Sequence, residues 1–296
     1  MNEQALSAFC RFARAHVESG DIDPSYPLLK RVYAQLGLSR ESALWHTLLY
    51  VTYYHLGSAN LAFQSKPEPP FTRLLPDEIF PTGTERRSFR GRAGAEKARA
   101  HLRAVLDHAF TNGGSLEKWV EFVIHPGDKG GWAAVRESFQ QFPHGGNWSS
   151  YKWADLLKHV HGYPITADDI GVGGGSETAG PVPGMVRVTG EDWKRCATDV
   201  ALQQELHDEC VLRGVPFNGL DQLETALCDF NSLCKGHYYV GHDIDDGMEK
   251  LKDPPAIWWE TRALCFKPQY LGEVGGWFGV RKELRTAYRD RGEILT

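Results

Sequence analysis

Ser39-Arg40-Glu41-Ser42-Ala43-Leu44-Trp45-His46-Thr47-Leu48-Leu49-Tyr50-Val51 is the stretch from which the fold is read. Ser39 has the side chain of a helix N-cap, and Leu44, Leu48 and Val51 recur at i, i+4 and i+7, the spacing of one helical face. The helix runs on through Leu56 and stops near Gly57. Upstream, residues 3–18 gather Ala5, Phe9, Phe12, Ala13 and Val17 on one side. Residues 25–37 do the same with Leu28, Leu29, Val32 and Leu36 before Gly37. Downstream, helices read at about 93–110, 114–125, 130–141, 148–161, 190–213, 219–233, 255–265 and 280–290. Strand-like alternation is scarce, and its best candidates are Met185-Val186-Arg187-Val188 and Tyr238-Tyr239-Val240. The expected fold is mainly α, a two-lobed helical bundle with at most short strands.

A chain of 296 residues buries about 75% of its unfolded surface and needs no staple. It reads as one mainly helical domain, or as two lobes of about 1–170 and 185–296 meeting at a cleft. The Gly-rich loop 171–184 would join them. No window approaches the roughly 18 apolar residues of a membrane helix, and Met1-Asn2-Glu3-Gln4 lacks a signal-peptide layout, so no membrane partner and a cytoplasmic location are expected. The six cysteines form no Cys-x-x-Cys pair and fit no zinc ribbon or disulfide framework, which predicts free thiols. No cofactor-binding or metal motif stands out.

Against a formal net charge of −5, Glu85-Arg86-Arg87-Ser88-Phe89-Arg90-Gly91-Arg92 packs four guanidinium groups into seven residues. Such a cluster serves an anion or is a solvated face paired with glutamates. Arginine suits phosphate because its planar fork donates two hydrogen bonds and stays charged. A run of five prolines between 66 and 82 leads into it. Gly171-Val172-Gly173-Gly174-Gly175 resembles a phosphate cradle, yet no Gly-Lys-Ser/Thr follows and no strong strand precedes it. A surface loop is the competing reading.

Two further segments carry chemistry. Trp148 to Leu157 opens a helix with Trp148, Trp153, Ala154 and Leu157 inward, which would turn Tyr151 and Lys152 toward phosphates. Residues 236–246 place His237, His242, Asp243, Asp245 and Asp246 together, enough for a metal or for a general base with an imidazole partner. Asp243 as a helix N-cap is the structural alternative. In Tyr50 to Asn60, the polar handles are Tyr53, His55 and Asn60.

Taken in order, Tyr53-Tyr54-His55-Leu56-Gly57-Ser58-Ala59, Glu85-Arg86-Arg87 with Arg90, Trp148 to Asp155, Cys228-Asp229-Phe230 and Tyr238 to Asp245 resemble the phage amino acid:DNA transferases. These are also called α-glutamyl/putrescinyl-thymine pyrophosphorylases and are considered relatives of the helical DNA glycosylases. The resemblance spans roughly residues 20 to 265, and a helix-hairpin-helix sequence of the Leu-Pro-Gly-Val-Gly type is missing from it.

The resemblance implies a DNA substrate carrying a pyrophosphorylated 5-hydroxymethyluracil and a free amino acid or polyamine donor, with no cofactor. The base leaves the stack, and the amine displaces pyrophosphate from the 5-methylene. Arg86, Arg87, Arg90 and Arg92 would then hold the pyrophosphate. Asp243 or Asp245 with His242 would act as base, Tyr53, His55, Asn60 and Tyr238 would line a base or amine pocket, and Tyr151, Lys152, Gly173 and Gly174 would meet the DNA backbone. Two competitors share parts of the pattern. One is a metal-dependent His-Asp phosphohydrolase centred on His242-Asp243, conscripting His159, His161 and Asp290. The other is a DNA-binding or glycosylase-like module without transferase activity.

Overall fold

The computed structural model describes residues 2–69, 78–124, 131–171, 180–249 and 256–267. Among them the secondary structure is helical throughout, with no strand. The chain divides into two compact units, each of which returns to a partner segment distant in sequence.

The larger unit, residues 26–166 with 250–261, is organised on α3 (Arg40–Tyr53). Every residue of α3 from Ser42 to Tyr53 is buried, the signature of a helix packed on all sides. Around it lie α2 (Ser25–Gln35), α4 (Leu56–Ser65), α5 (Gly91–Asn112), α6 (Leu116–Ile124), α7 (Gly131–Gln140) and α8 (Asn147–His159). Ser39 caps α3 as expected, its hydroxyl accepting from the Ser42 amide at 3.1 Å. The helix ends earlier than Gly57, however. Tyr54 turns left-handed (φ 46°), and His55 opens α4 as a separate helix whose cap is the imidazole Nδ1, accepting from the Ser58 amide.

The other unit, residues 1–25 with 167–249 and 262 onward, joins α1 (Glu3–Ser19) to α9 (Pro181–Thr189), α10 (Trp193–Thr198), α11 (Val200–Leu212), α12 (Leu220–Cys234) and α13 (His242–Glu249). Among the described residues a further helix, α14 (Ala256–Cys265), follows, its residues up to Thr261 belonging to the α3 unit. Both strand candidates are overturned. Met185 to Val188 lies inside α9, where Pro181 pre-sets the first turn and Gly190 (φ 77°) closes the last, with Val182, Met185 and Val188 buried. Tyr238 to Val240 forms the turn entering α13. The single helix expected over 190–213 breaks at Asp199, which ends α10 and caps α11 through the Leu202 amide. Residues 280–290 lie outside the described segments, as does most of the glycine loop, Gly173 and Gly174 included.

All six cysteines are free. α9 packs tightly on α12 at Gly184, where a Cβ would lie 2.1 Å from the Leu227 carbonyl oxygen. Gly184→Ala is therefore expected to force the helices apart at a cost of about 1–3 kcal/mol, read as a lowered urea midpoint with an unchanged slope.

Candidate functional site

The densest set of ionisable groups in the first-and-last unit is built where α1 ends. Gly20 closes α1 in the left-handed conformation (φ 78°), and Asp21 turns inward to complete burial. Its carboxylate accepts four hydrogen bonds. Oδ2 takes the Tyr238 hydroxyl at 2.6 Å and the Gly241 amide at 2.7 Å, while Oδ1 takes the Asp243 and Ile244 amides at 2.9 Å each. Those amides belong to the first turn of α13, whose N–H groups have no partner within the helix and attract negative charge. The N-cap foreseen for Asp243 is thus filled by Asp21, more than two hundred residues away.

His16, one turn from the end of α1, faces the same carboxylate. Its Nε2 lies 2.9 Å from the Tyr238 hydroxyl, 3.5 Å from Asp229 Oδ2 on α12 and 4.0 Å from Asp21 Oδ2. Tyr238 donates its own proton to Asp21, so its oxygen accepts, and His16 must carry a hydrogen on Nε2. A relay runs from the imidazole through the phenol to the carboxylate. His16 stacks on Phe12, and burial pushes its pKa down to about 3, which keeps the ring neutral. Asp229, His242 and Asp243 rim the group, with side chains 15%, 17% and 38% exposed over a floor of His16, Asp21 and Tyr238. His242 stacks on Tyr238 with ring centres 4.9 Å apart, and its Nδ1 meets Asp243 Oδ1 at 2.6 Å.

Three carboxylates in one desolvated group cannot all ionise freely. Burial first, then the charge of Asp243, pushes Asp21 up to about 7, opposed by its four donors. Burial, Asp243 and Asp21 raise Asp229 well above the ordinary carboxylate range. Asp21 has four donors aimed at it, whereas Asp229 meets the imidazole Nε2 at the longer distance of 3.5 Å. Asp21 is therefore the better home for the charge and Asp229 for the proton. Burial and the neighbouring carboxylates also hold the Tyr238 hydroxyl well above its usual pKa, so it remains a donor.

The remaining expected residues fall elsewhere. Asp245 is buried and occupied, pairing with Arg262 Nη2 at 3.0 Å and accepting from the Tyr239 hydroxyl at 3.1 Å. Lys152 and Tyr151, expected to look outward, point inward. Lys152 is buried with Nζ 2.7 Å from Asp155 Oδ2, and Tyr151 packs edge-on against Trp132. Helical geometry explains the reversal, because nine consecutive residues of α8, Ser149 to Leu157, are buried. Tyr53 is buried against Phe80. Asn60 is buried in α4, and His55 is engaged in capping. These three belong to the unit of α3, whereas Tyr238 belongs to the unit of α1.

The arginine cluster divides by role. It forms a short 3-10 helix, Thr84–Phe89, running into α5. Arg86 is 5% exposed, and its Nε donates to the Thr52 carbonyl at 3.0 Å and Nη1 to the His144 carbonyl at 3.2 Å. Its guanidinium lies 4.2 Å from the Phe89 ring centre, and burial lowers its pKa to about 10. Arg86 is thus a strut that ties the 3-10 helix to α3, not an open anion donor. Arg87, Arg90 and Arg92 are exposed. Gly94 lets the segment fold back tightly, since a Cβ there would lie 2.1 Å from the Phe89 carbonyl carbon.

Comparison with known proteins adds the family. A model of the amino acid:DNA transferases matches residues 13–239, more than three-quarters of the chain. The chain belongs to that family. A putrescinyltransferase of Delftia phage PhiW-14 is 30% identical over 258 residues, covering 81% of this chain and 77% of the relative. The amino acid:DNA transferase described here is accordingly an enzyme acting on DNA, which sets aside the phosphohydrolase and the non-catalytic module. The matched span holds His16, Asp21, Asp229, Tyr238 and the whole arginine segment, while His242 and Asp243 lie just beyond it. Sequence reasoning missed His16 and Asp21. Their signal was a polar pair bracketing the end of an otherwise apolar helix face, close to Gly20.

Folded Asp21 and Asp229 bind protons more tightly than the unfolded chain does. Between about pH 4 and about pH 7 the native state therefore holds more protons, and stability falls as pH rises through that window. Asp229→Asn is expected to flatten this decline, read as a smaller difference between urea midpoints at pH 5 and pH 8 than in the unaltered protein.

Proposed function

We propose that this amino acid:DNA transferase displaces pyrophosphate from the 5-methylene of a modified uracil in DNA with the amine of a diamine or polyamine. The observation that carries the reading is the half-open carboxylate group around Asp229, floored by the His16–Tyr238–Asp21 relay. An amine arrives as an ammonium and attacks only after losing a proton. A carboxylate whose affinity for protons is raised by burial and neighbouring charge is matched to that task. Asp229 is the proposed general base, with Asp243 beside it at the rim.

The same charges favour the donor. Asp229 stands in the field of Asp243, Asp21, Glu224 and Asp23. The second ammonium of a diamine is attracted there, whereas the α-carboxylate of an amino acid is repelled. The putrescinyl group named for the phage relative agrees with this choice. The His242 ring, stacked on Tyr238, offers an aromatic face at the rim for an extruded base.

In the step itself, the neutral nitrogen forms a bond to the methylene carbon as the carbon–oxygen bond to pyrophosphate breaks. The proton of the incoming ammonium passes to Asp229, and pyrophosphate leaves with the bonding pair. On the α3 unit, Arg87, Arg90 and Arg92 remain exposed guanidinium groups of the kind that suits a phosphate, and Arg86 fixes the segment that carries them.

Incubating the protein with 5-pyrophosphorylmethyl-deoxyuridine DNA and either putrescine or glutamate, followed by nucleoside mass spectrometry, tests the reading. A putrescinyl nucleoside is expected, at a rate rising with pH as the Asp229 carboxyl, held above the ordinary carboxylate range by burial and its neighbours, loses its proton. Asp229→Asn should lower the rate by about 10²-fold or more. A glutamyl product without a putrescinyl one would overturn the donor assignment, and an undiminished Asp229→Asn rate would overturn the base.

A further inference from the structure

The basic charge of the arginine segment does not stop at Arg92. From residue 85 to residue 103 the chain carries Arg86, Arg87, Arg90, Arg92, Lys97, Arg99 and Arg103 against Glu85 and Glu96, a net +5 in a protein of net −5. His101 adds nothing to this balance, because burial holds its pKa near 3. Arg86 is committed to backbone carbonyls and Arg87 donates its Nε to the Thr84 carbonyl at 3.2 Å; the remaining five run from Arg90 along α5, with Arg99 half-buried and the other four exposed.

Their arrangement on α5 is regular. Arg92, Arg99 and Arg103 stand at i, i+7 and i+11, one edge of the helix, with Glu96 the lone carboxylate among them. Lys97 lies on the opposite edge of the exposed face. Between the two edges run Ala93, Ala100 and Ala104, side chains too small to hold a partner away. The opposite side of α5, from Gly94 through Ala98, Leu102 and Val105 to Ala109, is buried in the unit of α3, so the basic face is fixed outward. Asp107, one turn beyond Arg103, ends the strip.

We propose that this face of α5 is the docking surface for the DNA backbone. The eleven residues from Arg92 to Arg103 rise about 16 Å, the axial length of about five phosphates on one strand. Arginine and lysine rows flanking a low alanine floor let a phosphate chain approach closely and be neutralised from both sides. The surface reads no sequence, because it meets only phosphates. It rests on the family's DNA substrate and not on the pyrophosphate chemistry.

Fluorescence anisotropy with a labelled, unmodified 20-base-pair duplex tests it without any transfer reaction. Lys97→Gln/Arg99→Gln/Arg103→Gln is expected to weaken binding by about 10-fold or more and to reduce the slope of log K against log salt by about 2–3. Lys97→Gln/Arg103→Gln, at two exposed sites where Gln keeps the helix as well as Lys or Arg, should show a partial loss. Lys194→Gln/Lys235→Gln, two exposed charges on the other unit, should leave the slope unchanged. At saturating modified DNA the triple variant should keep its kcat and show a raised KM. An unchanged affinity and slope in the triple variant, or an equal loss in the Lys194/Lys235 control, would overturn the proposal. Loss of transfer with intact DNA binding would implicate the chemistry instead and would equally overturn it.

Discussion

The Asp21 carboxylate is the interaction on which the site depends. One buried side chain supplies the acceptor for three amides at the start of α13 and for the Tyr238 hydroxyl. It thereby fixes the turn between α12 and α13 to the end of α1. Removing the acceptor would strand four buried donors at once, and leaving a buried donor unsatisfied costs about 1–3 kcal/mol for each group. The orientation of Tyr238 follows from this anchor, and so does the tautomer of His16. Asp229, left outside the ring of donors, keeps its proton more readily than Asp21 does. Two carboxylates in one group thus acquire two roles from their surroundings.

Charge is distributed along this chain with comparable economy. The carboxylates that matter are gathered where the N-terminus of α13 and an imidazole receive them, and six of the chain's twenty guanidinium groups fall between residues 86 and 103. Neither concentration follows from net charge, which is mildly acidic. Arg86 shows how a cluster of like charges is made tolerable: one member is withdrawn into the interior, neutralised by carbonyl oxygens and a ring face, and holds the others in place.

The helical architecture was legible because apolar residues recur at helical spacing in α1, α2 and α3, and Ser39 caps α3 as its side chain predicts. The site was half legible. His242, Asp243 and Tyr238 stand in one dense polar segment and are brought together, and the arginines could be seen as a group. His16, Asp21 and Asp229 could not be placed, since each sits singly in a helical context and their meeting depends on packing between segments about two hundred residues apart. Orientation failed where a helix is buried all round. Lys152 reads as a surface residue by type, yet on α8 it lies inside and finds Asp155. The valine-rich run at 185–188 misled for the related reason that Pro181 and Gly190 override β-propensity locally.

The discontinuous make-up of the unit that holds the site has a consequence for synthesis. Residues 26–166 hold nearly all of the α3 unit and leave the ribosome as a block that can begin to pack while the remainder is still being made. His16 and Asp21 emerge first of all but have no Asp229, Tyr238 or α13 to meet until nearly the entire chain has been translated. The carboxylate centre therefore cannot assemble on an incomplete chain, and a truncated translation product would carry the basic helix without the chemistry.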